Sequence, residues 1–293
     1  MEKPPVVILA AGEGRRLSLG KGVPKPLTKF AGLTLLERAV RMWHKFGFTK
    51  FYVVVGHAKE EVTEGAKKIA TKLGVEIIPV KNDEWPMGNG TSVLAVSQLI
   101  DRPFFLQMVD HVFDAKTLQE FLEKTENADM TVLAIDPRVD SVLDIEDATK
   151  VKLEGEHILD IGKSLREYDA IDMGLFFCTP EIFESLRKSR EQNGGKLSDG
   201  ARWLANNRRI KAVVLSTGQW FDIDKPEILR AAEQDLFEKI KKSEDGLVSK
   251  HLNRQISFRI SKRLSSLLSP TPTTGIAFCV ALLGALLFTS GSY

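Results

Sequence analysis

Cysteine is scarce: Cys178 and Cys279 are the only two in 293 residues. That excludes a disulfide framework and fits a reducing compartment. No apolar leader precedes the first hydrophobic run, since Met1-Glu2-Lys3-Pro4-Pro5 leads straight to Val6, so no secretory signal is expected. A basic surplus is missing from most of the chain. The net charge is +2, and the last acidic residue, Asp245, is followed by the five cations Lys250, Arg254, Arg259, Lys262 and Arg263; +2 minus 5 leaves residues 1–245 at −3. Nucleic acid is therefore not an expected partner. A Ser-His-Asp or Cys-His constellation is lacking too, which argues against nucleophilic acyl chemistry. With 43% hydrophobic and 27% charged residues, what is present is an ordinary globular chain, long enough for one large α/β domain and an appendage.

The most informative stretch is Leu9-Ala10-Ala11-Gly12-Glu13-Gly14-Arg15-Arg16, continued to Pro24-Lys25-Pro26-Leu27. It follows the apolar run Val6 to Leu9, so it reads as the loop leaving a first buried strand. Small residues let backbone approach a ligand closely, and Arg15, Arg16 and the proline-flanked Lys25 add fixed charge. Amides plus cations suit a polyphosphate. Two common phosphate loops do not match. A dinucleotide fingerprint needs glycine at position 17, which is Leu, and a P-loop needs Ser or Thr after Gly20-Lys21, where Gly22 stands.

Downstream, strand and helix alternate. A helix is expected from Thr34 to about Phe46, a strand at 51–55, a helix at 59–73 and a strand at 76–80. Then come a loop, Trp85 to Ser92, and a helix at 93–99. A strand at 103–109 ends in Asp110-His111, another strand spans 130–135, a hairpin spans 149–161, and further elements continue to a charged helix at 226–242. The pattern predicts an α/β fold with a doubly wound, mostly parallel, Rossmann-like sheet, whose ligands sit beyond the carboxyl ends of the strands. Asp110 would lie in that crevice, where a carboxylate can hold Mg²⁺. Asp222 and Asp224 alternate onto one side of the chain, and two close carboxylates need a cation, which favours a second metal-side ligand there. The loop glycines Gly88 and Gly90, with Asn89 and Thr91, can bring amides against a flat base edge.

The phosphate-loop string resembles the signature of nucleotidyltransferases that join NTPs to sugar or alcohol phosphates. That resemblance implies that residues 9–15 wrap the triphosphate, that Arg16 and Lys25 touch the reacting phosphates, and that Asp110 with Asp222 or Asp224 binds Mg²⁺, Asp222 being preferred. It also makes Gly88, Asn89, Gly90 and Thr91 the base-binding segment. Lys163 would grip the acceptor phosphate, and Asp172, just before Gly174, would contact acceptor hydroxyls. The segment from Leu143 to Gly174 resembles the subgroup that joins CTP to inositol 1-phosphate in di-myo-inositol phosphate synthesis by thermophiles. Sugar 1-phosphates with UTP, dTTP or GTP are the alternative, and a membrane-tethered nucleotide binder without catalysis is a second. A homodimer is compatible with either.

Past residue 242 the character changes. Residues 243–270 carry a basic amphipathic stretch with Leu252, Ile256, Ile260, Leu264 and Leu268 at spacing four. Residues 271–293 have no charge and are long enough for a membrane helix. The tail resembles the start of a CDP-alcohol phosphotransferase membrane domain, cut before that family's aspartates. Three segments are thus expected: a nucleotidyltransferase domain at 1–242, a juxtamembrane segment at 243–270 and a membrane helix at 271–293. The catalytic domain would lie on the cytoplasmic face of the cell membrane.

Overall fold

Five consecutive buried residues, Val6–Ala10, make the central strand β1. A strand buried on both faces reads as a continuous apolar run, and helices must cover both sides of it. A short helix α1 (Arg15–Ser18) follows, then a small hairpin of β2 (Lys29–Phe30) and β3 (Leu33–Thr34), helix α2 (Leu35–Lys45), β4 (Lys50–Val55), α3 (Lys59–Leu73) and β5 (Glu76–Lys81). Next are α4 (Asn89–Leu94), β6 (Phe104–Met108), β7 (His111–Phe113), α5 (Ala115–Thr125) and β8 (Thr131–Asp136). The chain continues through β9 (Lys150–Glu154), β10 (His157–Gly162), β11 (Ala170–Cys178), α6 (Glu181–Glu191), α7 (Leu197–Asn206), β12 (Ile210–Val214), β13 (Trp220–Asp222) and α8 (Pro226–Ile240). This computed structural model describes residues 3–18, 22–192 and 194–240, with isolated positions 275, 279 and 282. The basic segment and the membrane helix expected beyond 242 otherwise lie outside the described residues. Among the described residues no helix is long and apolar enough to cross a membrane.

The chain divides into two units, 1–28 with 35–228, and 29–34 with 229–293. In the second unit, Ala31 and Gly32 take positive φ at the tip of the β2–β3 hairpin, as a two-residue turn requires, and the Ala31 N–H donates to Glu233 at 3.1 Å.

The first unit holds a nine-stranded sheet in the order β5-β4-β1-β6-β11-β8-β12-β10-β9. Strands β5, β4, β1, β6, β8 and β12 run the same way, as expected, but β11 is inserted antiparallel between β6 and β8. Neighbouring residues on β6 show the two layers. Phe104 stacks on Phe183 of α6 with centroids 5.5 Å apart, whereas Phe105 meets Trp43 of α2 at 5.0 Å and Phe121 of α5 at 6.0 Å. Alternation along a strand sends successive side chains to opposite faces, so each face carries its own helices.

Several elements depart from the sequence reading, among them the short α1, β2, β3 and β7, which it did not contain. The helix expected over 93–99 begins at Asn89 and ends at Leu94, because Gly88, at φ 123°, turns the chain directly into it. Helix α5 was not anticipated; Asp114 caps it by accepting from the Thr117 N–H at 2.9 Å.

Candidate active site

β1 and β6 are adjacent, and from β1 the chain passes outward to β4 on one side while β6 closes the other. That is a switch point, where loops at the carboxyl ends of the strands splay apart and leave a crevice. Into it come the loop after β1 and the Asp110-His111 pair after β6.

Gly14 takes φ +64°, and a Cβ there would stand 2.4 Å from the Cβ of Lys25. Glycine therefore lets the loop close over Lys25. The lysine sits in a single 3₁₀ turn, Lys25–Leu27, entered through Pro24, and is only 6% exposed. A buried ammonium needs partners; it is ion-paired with both Asp110 and Asp224. Arg16 pairs with Asp224 and, at 2.6 Å, with Asp147, which also accepts from Lys163 at 2.8 Å. Charges of opposite sign thus alternate through the crevice from Lys163 to Asp147, Arg16, Asp224, Lys25 and Asp110.

The second half of the site is set by the β7–β13 pairing, which puts Asp222 opposite His111. The imidazole lies on the Trp220 indole with centroids 5.5 Å apart and planes 21° apart. Its Nδ1 donates to the Met173 carbonyl at 2.6 Å, which fixes the tautomer and turns Nε2 toward Asp222 at 3.7 Å and Asp110 at 3.9 Å. Met173 can reach the ring because Gly174, at φ +63°, forms a bulge in β11. Trp220 is held by its own N–H bond to the buried Asp136 at 2.9 Å, and Arg138 clamps that carboxylate at 2.8 Å.

Burial alone would raise the Asp110 carboxyl, but Lys25 and His111 outweigh it and hold Asp110 below the usual range. At Asp222 burial, joined by the Asp110 charge, prevails and pushes the carboxyl up. For His111 burial works downward, yet the carboxylates of Asp222, Asp110 and Asp172 win and raise it. Asp172 is pushed up to about 6, chiefly by burial.

The Oδ1 atoms of Asp110 and Asp222 are buried without a hydrogen-bond partner among the described residues. Orphaned buried oxygens are costly. Ligand atoms of Asp110, His111 and Asp222 lie within 4.8 Å of one another, so two hard oxygen donors and one nitrogen fit a divalent cation.

Two cavities meet here. A smaller one, about 290 Å³, is lined by the β1 loop, Arg16, Lys25, Trp85 and Ser92. A larger one, about 640 Å³, is lined by Asp144, Asp147, Lys163, Asp172, Gly174, Asp222 and others. Asn89, Met108, Asp110 and Asp224 belong to both walls.

Residues 6–218 match the family described as the MobA-like NTP transferase domain. The chain belongs to that family. It is 39% identical over 289 residues to the bifunctional IPC transferase and DIPP synthase of Rubrobacter xylanophilus, covering 97% of this chain and 64% of that protein. To the protein of the same name from Archaeoglobus fulgidus it is 32% identical over 281 residues, 96% of this chain and 54% of the other. The chain therefore spans somewhat over half the length of these curated relatives. Among solved structures, the inositol-1-phosphate CTP transferase from T. maritima superposes with a TM-score of 0.72 at 26% identity, covering 84% of this chain and 99% of that one.

In this NTP transferase domain Leu9, Ala11, Gly12, Gly14, Arg15, Arg16 and Lys25 line the smaller cavity. Ala10 and Glu13 do not: Ala10 is buried in the sheet, and Glu13 pairs with Arg15 at 2.6 Å. The expected base-binding segment is more structural than its composition suggests. Asn89 accepts from the Leu197 N–H at 2.8 Å, and Thr91, 3% exposed, spends its hydroxyl on the Gly88 carbonyl at 2.8 Å and the Asn82 amide at 3.0 Å. A Cβ on Gly88 or Gly90 would stand 2.5 or 2.8 Å from the Gly195 carbonyl, so these glycines admit the segment before α7. Asp222 and Asp224 both line the larger cavity but take different partners. β13 ends at Asp222 and alternation stops there; the Asp224 N–H turns back to the Asp222 carbonyl at 3.1 Å, and both Asp224 oxygens go to Lys25 and Arg16. Asp224 is thus taken up by the two cations, whereas Asp222 gathers with Asp110 and His111. Asp147, Asp136 and Trp220 had no assigned role in the sequence. Only Trp220 left a trace, two residues before Asp222 and hence on the same side of a strand.

Proposed function

We propose that this chain transfers a cytidylyl group from CTP to inositol 1-phosphate, releasing pyrophosphate. The observation that carries the reading is the meeting of two cavities at the Lys25, Asp110 and Asp224 cluster: one cation-rich and loop-lined, suited to a triphosphate, the other walled by carboxylates that accept hydrogen bonds from a polyol. The relatives named IPC transferase and the T. maritima enzyme support cytidine as the base and inositol phosphate as the acceptor.

An acceptor phosphate oxygen attacks the α-phosphorus in line; the new P–O bond forms as the bond to the pyrophosphate oxygen breaks. A phosphate monoester is largely dianionic at neutral pH, its second pKa being about 6, so no general base is needed. The β1 loop amides and Arg15 hold the triphosphate. Arg16 and Lys25 exchange their carboxylate partners for its oxygens and neutralise charge as it moves to the leaving group. Lys163 holds the acceptor phosphate, and Asp172 accepts from its hydroxyls. Asp110 and Asp222 would hold Mg²⁺, with His111 steadying them, and the ion supplies electrostatic neutralisation of the phosphates. We extend the reading to the tail: residues 243–293 tether the domain to the cytoplasmic face of a membrane, the cations on anionic lipid and the uncharged stretch within it.

The test is pyrophosphate release by the full chain with Mg²⁺ and each of CTP, UTP, dTTP, GTP and ATP, against inositol 1-phosphate and a panel of sugar 1-phosphates. Selective release with CTP and inositol 1-phosphate is expected. Release with a sugar phosphate alone overturns the acceptor assignment, and no release with any pair overturns catalysis.

A further inference from the structure

The bridge between the two cavities is the least expected feature of the site. Asp147 lies in the connection between β8 and β9, and its two oxygens are divided between two cations brought from distant parts of the chain. Oδ2 takes Arg16 at 2.6 Å and Oδ1 takes Lys163 at 2.8 Å. A carboxylate held this way occupies the place and geometry of two phosphate oxygens between a guanidinium and an ammonium. The same segment is tied down beside it by Asp144, which pairs with Lys225 at 2.7 Å. Asp147 stays ionised: burial would raise its carboxyl, but the bonds from Lys163 and Arg16 hold it below the ordinary range.

We propose that Asp147 is a place-holding anion and thereby a specificity-determining residue, setting the minimum charge a ligand must bring to the Arg16–Lys163 pair. A monoanion offers the two cations no more than Asp147 already does and gains nothing by displacing it. A dianionic phosphate monoester offers twice the charge and three acceptor oxygens, and displaces it. Specificity arises from the competitor built into the site as much as from attraction to the ligand. The inference rests on the reading of Lys163 as an acceptor-phosphate ligand, and it gives Arg16, which pairs with both Asp147 and Asp224, a contact to that phosphate as well as to the triphosphate.

Titration of the full chain with inorganic phosphate and with acetate at pH 8, by calorimetry and without nucleotide, separates this inference from the question of turnover. The wild type should bind phosphate and not acetate. Asp147→Asn should bind phosphate about two- to thirty-fold more tightly, the range expected for releasing two half-exposed ion pairs, and should bind acetate measurably. Asp147→Asn with Lys163→Gln should lose the gain. Unchanged phosphate affinity in Asp147→Asn, or a gain that survives Lys163→Gln, overturns the proposal. Should Asp147→Asn fail to fold, hydrogen exchange on the wild type decides: phosphate should speed exchange of the Asp147 and Ala148 amides, both bonded to the Asp144 carbonyl, whereas acetate should not. Equal exchange with the two anions overturns it.

Discussion

Replacing Gly174 by alanine tests whether the bulge in β11 exists to bring a carbonyl to His111. The residue sits at φ +63°, where an L side chain costs about 1–2 kcal/mol. Its Cβ would stand 2.6 Å from His111 Nδ1 and 2.8 Å from Met108 Cγ, well inside van der Waals contact, so the ring must move and its bond to Met173 is lost. A hydrogen bond lost at a buried site costs about 1 kcal/mol more. The sum, about 2–3 kcal/mol, corresponds to a fall in melting temperature of about 4–12 °C for a domain of this size. Displacing His111 by about 1 Å also shifts Asp110 and Asp222, and errors of that size cost about 10²-fold in rate. Gly155 supplies the control. Its φ is +62°, but nothing lies within 4 Å of the position its Cβ would take, so Gly155→Ala carries the backbone strain alone. Differential scanning calorimetry and pyrophosphate release on both variants decide. If Gly174→Ala and Gly155→Ala lose the same stability and both keep full turnover, the bulge has nothing to do with His111.

Lys25→Ala should lower turnover by about 10²-fold or more, as does loss of one electrostatic contact to developing charge, while circular dichroism stays unchanged; near-normal turnover removes Lys25 from the reaction. Asp172, raised to about 6 by burial, binds its proton more tightly folded than unfolded, so its ionisation weakens the fold as pH rises from about 4 to about 6 and leaves a constant deficit above that. Two pH units correspond to at most about 3 kcal/mol, and solvent at the cavity wall reduces this to about 1–3 kcal/mol. Asp172→Asn should accordingly gain stability relative to wild type across that window and stay ahead at pH 8; a difference in melting temperature that is flat from pH 4 to 8 refutes this. Chelation should abolish turnover and added Mg²⁺ restore it, and Mg²⁺ should raise the melting temperature of the wild type but not of Asp110→Asn. An equal rise in the two proteins would place the cation elsewhere.

Much of the fold could be read from local pattern. The buried run at β1, the helix at Lys59–Leu73 and the β9–β10 hairpin all follow from periodicity and turn chemistry within a dozen residues, and they appear where expected. The loop that lines the smaller cavity was legible for a similar reason, since its glycines, its arginines and Pro24-Lys25-Pro26 fall within a short stretch of chain. Asp110 was legible from its position at the end of a buried strand. Helix α4 was misplaced because the residues that open it, Asn89 and Gly90, bond to Leu197 and Gly195, far along the chain.

Chain order alone therefore determined the strand–helix alternation, the glycine- and arginine-bearing loop after β1 and the carboxylate beyond β6, because each depends on residues close in sequence. Tertiary structure decided how the site is wired. The reversed strand β11 delivers Met173 to His111, β13 delivers Trp220 and Asp222, and the β8–β9 connection delivers Asp147 between Arg16 and Lys163. Residue 16 and residue 147 have no local relation that periodicity could register. They meet because a cation partly withdrawn from water takes the nearest carboxylate the fold presents, and only the assembled sheet determines which one that is.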